Sequence, residues 1–147
     1  MTIWDKIYKK GELWGSLSED IHPLFKKFLE NSNFKIKHAL DIGCGDGRYL
    51  LSLKKIGFRI DGIDSSKTAI AKSRKLLGKD SNLKCVDIFK YDIPKNRYDL
   101  IISLSTIHHG AKKQIKNLII EIYNSLADHG KVFLTLPDIK SSKEWDT

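Results

Sequence analysis

A chain of 147 residues with 41% hydrophobic and 30% charged side chains has the balance of one globular domain and is too short for two. No run approaches the roughly eighteen apolar residues of a membrane span, and the start Met1-Thr2-Ile3-Trp4-Asp5-Lys6 lacks the features of a secretory signal, so a soluble cytoplasmic protein is expected. The net charge of +8 comes from 26 basic and 18 acidic residues; 22 of the basic ones are Lys and none forms a dense run, which favours a lysine-rich composition over a nucleic-acid-gripping face.

Two helical stretches lead, about 2–10 and 18–32, the second opening at Ser18 with Pro23 in its early turns. Residues 38–42 form a short strand ending at glycines, and 47–56 place Leu50, Leu51, Leu53 and Ile56 on one helical side, closed by Gly57. A second strand covers 58–63. Ser65 or Ser66 caps a helix over about 66–78 that closes at Gly78. A third strand is expected over 83–87 and a fourth, nearly all apolar, over 98–103. Ile115, Leu118, Ile119, Ile122 and Leu126 give a helix over about 112–127, stopped by Asp128-His129-Gly130, before a fifth strand over 131–136. Strands alternating with helices predict an α/β fold, a doubly wound and mostly parallel sheet with helices on both faces.

In such a sheet ligands bind at the carboxyl ends of the strands. The loop after the first strand reads Asp41-Ile42-Gly43-Cys44-Gly45-Asp46-Gly47, three glycines in five residues leading into a helix N-terminus. A nicotinamide-dinucleotide loop needs its third glycine one residue later, where Arg48 stands, which argues against a dinucleotide oxidoreductase. Asp64 ends the second strand 17 residues after Gly47, placed either to accept from two ribose hydroxyls or to cap the helix that follows. Asp87 and Ile88 follow the third strand, where an acid and an apolar side chain can flank an adenine; a helix cap is the alternative. Cys44 and Cys85 match no zinc spacing and read as reduced thiols, so no metal site is expected.

Taken in order, Leu40-Asp-Ile-Gly-Cys-Gly-Asp-Gly47, Gly62-Ile-Asp64, Cys85-Val-Asp-Ile88, Tyr98-Asp-Leu-Ile101 and Gly130-Lys-Val-Phe-Leu134 resemble the successive motifs of class I S-adenosylmethionine-dependent methyltransferases, over about residues 38–136. Residues 1–34, with Trp4-Asp-x-x-Tyr8-x-x-Gly11-x-x-Trp14-Gly15, are similar to a lead-in of small members, including the tellurite-resistance and thiopurine-type groups. The resemblance implies a Rossmann-like fold, S-adenosylmethionine as cofactor and methyl transfer as the activity. It implies that Asp41, Gly43, Gly45 and Gly47, with Cys44 between them, hold the cofactor's amino acid part. Asp64, with Ser65 beside it, would bind ribose; Asp87 and Ile88 would bind adenine; Tyr8 and Trp14 would cover the cofactor from the N-terminal side.

The loop after the fourth strand, Ser103-Leu-Ser-Thr-Ile-His-His109, should border the methyl group, with Ser103 counted among the cofactor contacts. Ile107-His108-His109 is similar to a tripeptide of wobble-uridine tRNA methyltransferases. His108 is the candidate general base, or else a side chain that packs the next helix. A small-molecule acceptor is favoured over RNA, and a cofactor-binding module without catalysis is the alternative.

The resemblance departs at the end. The family has seven strands, and ten residues after Pro137 leave no room for a further helix and an antiparallel hairpin. The expectation is one domain over 1–147 with its core at 38–137 and five strands, its C-terminus truncated or, alternatively, that of a shortened member. An unpaired fifth strand would then invite a homodimer or strand exchange through 131–137.

Overall fold

The computed structural model describes residues 1–10 and 21–138. Apolar runs become five parallel strands: β1 (His38–Ile42), β2 (Arg59–Asp64), β3 (Asn82–Cys85), β4 (Tyr98–Leu104) and β5 (Leu126–Thr135), in the order β3-β2-β1-β4-β5. Every residue of β1 is buried, as is nearly all of β4, because helices cover the centre of the sheet on both faces. The edge strands β3 and β5 are only partly covered.

The alternation of side chains sorts the core into two layers. On one face Phe25 of α2 (Pro23–Glu30), Leu50 and Leu53 of α3 (Arg48–Lys55), and Ile70 and Leu77 of α4 (Lys67–Leu77) meet Ala39, Ile60, Leu100 and Ile102. On the other, Leu118 and Ile122 of α5 (Lys112–Ser125) join Ile88 and Ile93, from the irregular stretch between β3 and β4, over Leu40, Ile42, Ile63 and Ile101. This is the doubly wound α/β sheet that the alternation predicts. Its direction of winding reverses between β1 and β4, which opens a crevice at their carboxyl ends. Helix α1 (Ile3–Lys10) reaches that edge of the sheet.

Several boundaries move. The second helix starts at Pro23, not Ser18: His22 is its cap, Nδ1 accepting from the Leu24 amide at 3.2 Å, with Pro23 at the first helical position, where its missing N–H costs nothing; residues 18–20 lie outside the described residues. Of the two serines expected to cap α4, Ser66 does so, its Oγ accepting from the Ala69 amide at 3.1 Å. β3 ends at Cys85, so Asp87 falls in a turn. The largest change is at β5, which begins at Leu126 directly after α5. Leu126 pairs with Tyr98, and the register then shifts so that Lys131 faces Leu100. Asp128-His129-Gly130 therefore bulges inside a strand and does not stop a helix; His129 takes the left-handed φ of 60° that this requires.

Candidate active site

The loop after β1 folds on its own polar groups. The amides of Gly43 and Cys44 donate to the Ile63 carbonyl at 2.8 and 3.0 Å, and Ser73 Oγ donates to the Gly45 carbonyl at 2.7 Å. Gly43 and Gly45 have φ of 79° and 55°, in the left-handed region that side chains avoid. Space forbids side chains there as well. A Cβ on Gly43 would enter the Thr106 side chain, and one on Gly45 would strike the Tyr8 hydroxyl. The glycines expected to admit a ligand are thus required first by the protein's own close contacts.

Three carboxylates gather here. Asp64 Oδ2 accepts from the Gly45 amide at 2.9 Å and Oδ1 from the Ser66 amide at 2.8 Å, while burial pushes its acid form up. Asp41 is 2% exposed and its Oδ1 has no hydrogen-bond partner among the described residues. Burial, then the charges of Asp64 and Asp46, hold its pKa well above the usual carboxylate range. Burial likewise raises the Cys44 thiol, ahead of the charges of Asp41 and Asp64, so that it stays protonated.

Helix α1 closes one side. Tyr8 lies against Gly45, and burial followed by the charge of Asp64 keeps its hydroxyl protonated. Lys72 of α4 donates to the Tyr8 carbonyl at 2.7 Å. Trp4, one turn earlier, meets the ring of His109 edge-on with centroids 4.8 Å apart.

The loop after β4 forms the other side. Ser103 Oγ donates to the Ile42 carbonyl at 2.8 Å, joining β4 to β1. Ile107–His109 makes a single 3₁₀ turn that sets the rings of His108 and His109 against each other, tilted by 41° with centroids 3.9 Å apart. His108 Nδ1 is buried without a hydrogen-bond partner among the described residues. Burial, then His109, lowers its pKa, so the ring is a neutral base at pH 7.

The structure brings Tyr8, Asp41, Gly43, Cys44, Gly45, Gly47 and Asp64 together, and joins the His108 loop to them through Thr106 against Gly43. Ser65 accepts from Cys85 Sγ through its carbonyl at 3.6 Å. Asp87 and Ile88 follow directly on the Val86 amide that donates to the Asp64 carbonyl at 2.9 Å. Ile88 is largely turned into the core, and Asp87 Oδ1 accepts from the Phe89 amide at 2.9 Å, a turn of its own making. Trp14 lies outside the described residues. Asp5 and Thr106 stand inside the lead-in motif and the loop after β4, but nothing local marks their partners Ser66 and Gly43.

Comparisons with known proteins follow the same lines. A family described as a methyltransferase domain matches residues 39–130. The ubiquinone biosynthesis O-methyltransferase of Coxiella burnetii (strain RSA 493 / Nine Mile phase I) is 30% identical over 103 residues, 66% of this chain and 44% of that protein. The chain thus spans less than half the length of this curated relative. Among solved structures, a putative methyltransferase of Haloferax volcanii, in complex with the Trm112 methyltransferase activator, superposes with a TM-score of 0.83 at 18% identity, covering 99% of this chain and 66% of that one. Phosphoethanolamine N-methyltransferase 1 of Haemonchus contortus, in complex with phosphoethanolamine and S-adenosylhomocysteine, superposes with a TM-score of 0.72 at 17% identity, covering 90% of this chain and 30% of that one.

Proposed function

Because the chain belongs to the methyltransferase-domain family, of the class I S-adenosylmethionine-dependent kind, we propose that it binds S-adenosylmethionine against the loop after β1 and serves methyl transfer to an acceptor at the loop after β4. Asp41 carries this reading. A buried carboxylate with an unpartnered oxygen, flanked by Asp64 and Asp46, calls for a cation. An α-ammonium group answers it. A pyrophosphate would bring negative charge against three carboxylates, which disfavours a dinucleotide.

In this reading Asp41 accepts from the ammonium group, with Gly43, Cys44, Gly45 and Gly47 shaping the floor. Asp64 has lone pairs left for ribose hydroxyls beyond the two amides it already accepts from. Asp87 and Ile88, with Ser65 nearby, flank the adenine, and Tyr8 and Trp14 cover the cofactor. Ser103 keeps β1 and β4 in register beneath the methyl group. Bound there, the cofactor supplies an electrophilic methyl group on a sulfonium sulfur. Neutral His108 takes the proton that the acceptor loses.

The acceptor in this reading is a small molecule bearing a hydroxyl; likeness to an O-methyltransferase and a base beside the site support it. Calorimetry with S-adenosylhomocysteine and with NAD tests the cofactor: binding of the first alone is expected, and binding of NAD alone overturns the reading. Cofactor binding without turnover by the whole protein would favour a non-catalytic module instead.

The edge of β5 supports a further partner, a second copy of the chain. β5 pairs only with β4 among the described residues; Leu134 within it and Leu136 just after it are 36% and 60% exposed. Self-association through residues 131–137 is expected to grow with concentration in light scattering and to vanish in Leu134→Lys; a monomer at high concentration overturns it. No helix among the described residues is long and apolar enough to cross a membrane. Two free thiols, Cys44 and Cys85, suit a cytoplasmic location.

A further inference from the structure

One carboxylate ties the covering helix to the floor of the site. Asp5 is only 5% exposed, and each of its oxygens accepts two hydrogen bonds. Oδ2 accepts from the Thr2 amide and hydroxyl at 2.9 and 3.0 Å, while Thr2 Oγ1 accepts from the Asp5 amide at 3.1 Å, a reciprocal pair that starts α1. Oδ1 accepts from Ser66 Oγ at 2.7 Å and from the Thr68 amide at 3.1 Å, at the start of α4. The same charge therefore sits at the positive ends of two helices. Those hydrogen bonds, led by that from Ser66, hold its pKa far below the usual carboxylate range, so it stays ionised.

From Ser66 the connections close into a ring. The Ser66 amide donates to Asp64 Oδ1, the Gly45 amide donates to Asp64 Oδ2, and Gly45 lies under the hydroxyl of Tyr8, three residues from Asp5 on the same helix. Trp4, the neighbour of Asp5, reaches His109. Moving Asp5 would disturb the ribose-binding candidate through Ser66, the glycine loop through Tyr8, and the acceptor loop through Trp4.

We propose that Asp5 is the positioning residue of this site: it latches α1 to the start of α4 and so sets Asp64 and Tyr8 against the cofactor and Trp4 against the acceptor loop. The proposal rests on the cofactor reading above for its functional consequence but not for the latch itself. The alternative is that Asp5 only caps α1, a task that Thr2 shares.

Three variants separate these roles: Asp5→Ala, Thr2→Ala, which weakens the α1 cap alone, and Asp5→Asn, which keeps one acceptor oxygen for Ser66 and Thr68. In ligand-free protein, hydrogen exchange at the Thr68 amide should speed up at least about tenfold in Asp5→Ala, less in Asp5→Asn, and stay unchanged in Thr2→Ala. Affinity for S-adenosylhomocysteine should fall about tenfold or more in Asp5→Ala, with partial rescue in Asp5→Asn and near-native binding in Thr2→Ala. Unchanged Thr68 exchange in Asp5→Ala overturns the latch. Equal losses of affinity in Thr2→Ala and Asp5→Ala reduce Asp5 to a cap and overturn the positioning role. If the native chain fails to bind the homocysteine analogue, the cofactor reading fails while the Thr68 amide still reports the latch.

Discussion

The hydroxyl of Tyr8 stands where a Cβ on Gly45 would have to go. The next atom of that ring is 3.4 Å from the same point, so the obstruction is almost wholly the hydroxyl oxygen. Gly45→Ala must therefore displace Tyr8 and also hold a left-handed φ of 55°. The backbone part alone costs about 1–2 kcal/mol. Removing the hydroxyl should relieve the rest: Tyr8→Phe with Gly45→Ala should be more stable, and bind S-adenosylhomocysteine better, than Gly45→Ala alone. A double-mutant cycle in thermal unfolding checks this, and strict additivity would break the link between the two residues.

That contact also marks where sequence reasoning stops. The strands at the centre of the sheet were legible because both their faces are buried, and α3 and α4 because Leu50, Leu53, Ile70 and Leu77 keep a helical period. The glycine loop was legible as a loop. Its reason was not: Tyr8 lies 37 positions before Gly45, and Thr106 lies 63 positions after Gly43, so neither neighbour leaves a local trace. The Asp5–Ser66 pair spans 61 positions and is equally silent. β5 began early for a similar reason. Asp128-His129-Gly130 has the composition of a helix stop, and only the distant partner Tyr98 makes Leu126 part of a strand.

A second buried polar group lies at the other end of the sheet. Asp61 Oδ2 receives the Tyr98 hydroxyl at 2.8 Å and His38 Nε2 at 3.0 Å, and all three residues are buried. Tyr98→Phe should cost about 1–3 kcal/mol of stability, because Asp61 loses a donor it cannot replace with water, yet leave cofactor affinity unchanged. Burial lowers the pKa of His38 against the opposing pull of Asp61. A histidine that resists protonation when folded makes the unfolded chain bind more protons below about pH 6.5. Stability should thus fall as the pH drops from about 7 to about 5, and His38→Gln, which keeps a donor but cannot titrate, should flatten that fall. Thermal melts across this range decide it.

His108 carries the same direction of shift into turnover. Its pKa lies below the ordinary imidazole value, from burial first and His109 second. The base form therefore predominates at neutral pH, and kcat should rise with pH through a value below about 6.5 and then stay level. His108→Gln should lower kcat by about a hundredfold or more and remove that rise, with S-adenosylhomocysteine bound as before. A variant that loses affinity but keeps its rate would instead make His108 a packing side chain for α5.

Asp41 gives the sharpest separation of the free and bound states. Its folded pKa is raised, burial being the first cause, so in the ligand-free chain its stabilising effect is complete below the unfolded value near 3.9 and is lost as the pH climbs through the folded value. A cationic ligand reverses the preference, because it pairs with the ionised form. The contribution of Asp41 to the melting temperature of the ligand-free chain should therefore fall as the pH rises, against the opposite contribution of His38, while S-adenosylhomocysteine binding strengthens over the same interval. Asp41→Asn should remove both slopes and weaken binding by about tenfold or more at neutral pH. Asp64 is raised as well, yet it already accepts from two amides that favour its ionised form. If both slopes survive in Asp41→Asn, the titrating group is Asp64, and the unpartnered oxygen of Asp41 loses its claim on the cofactor's ammonium group.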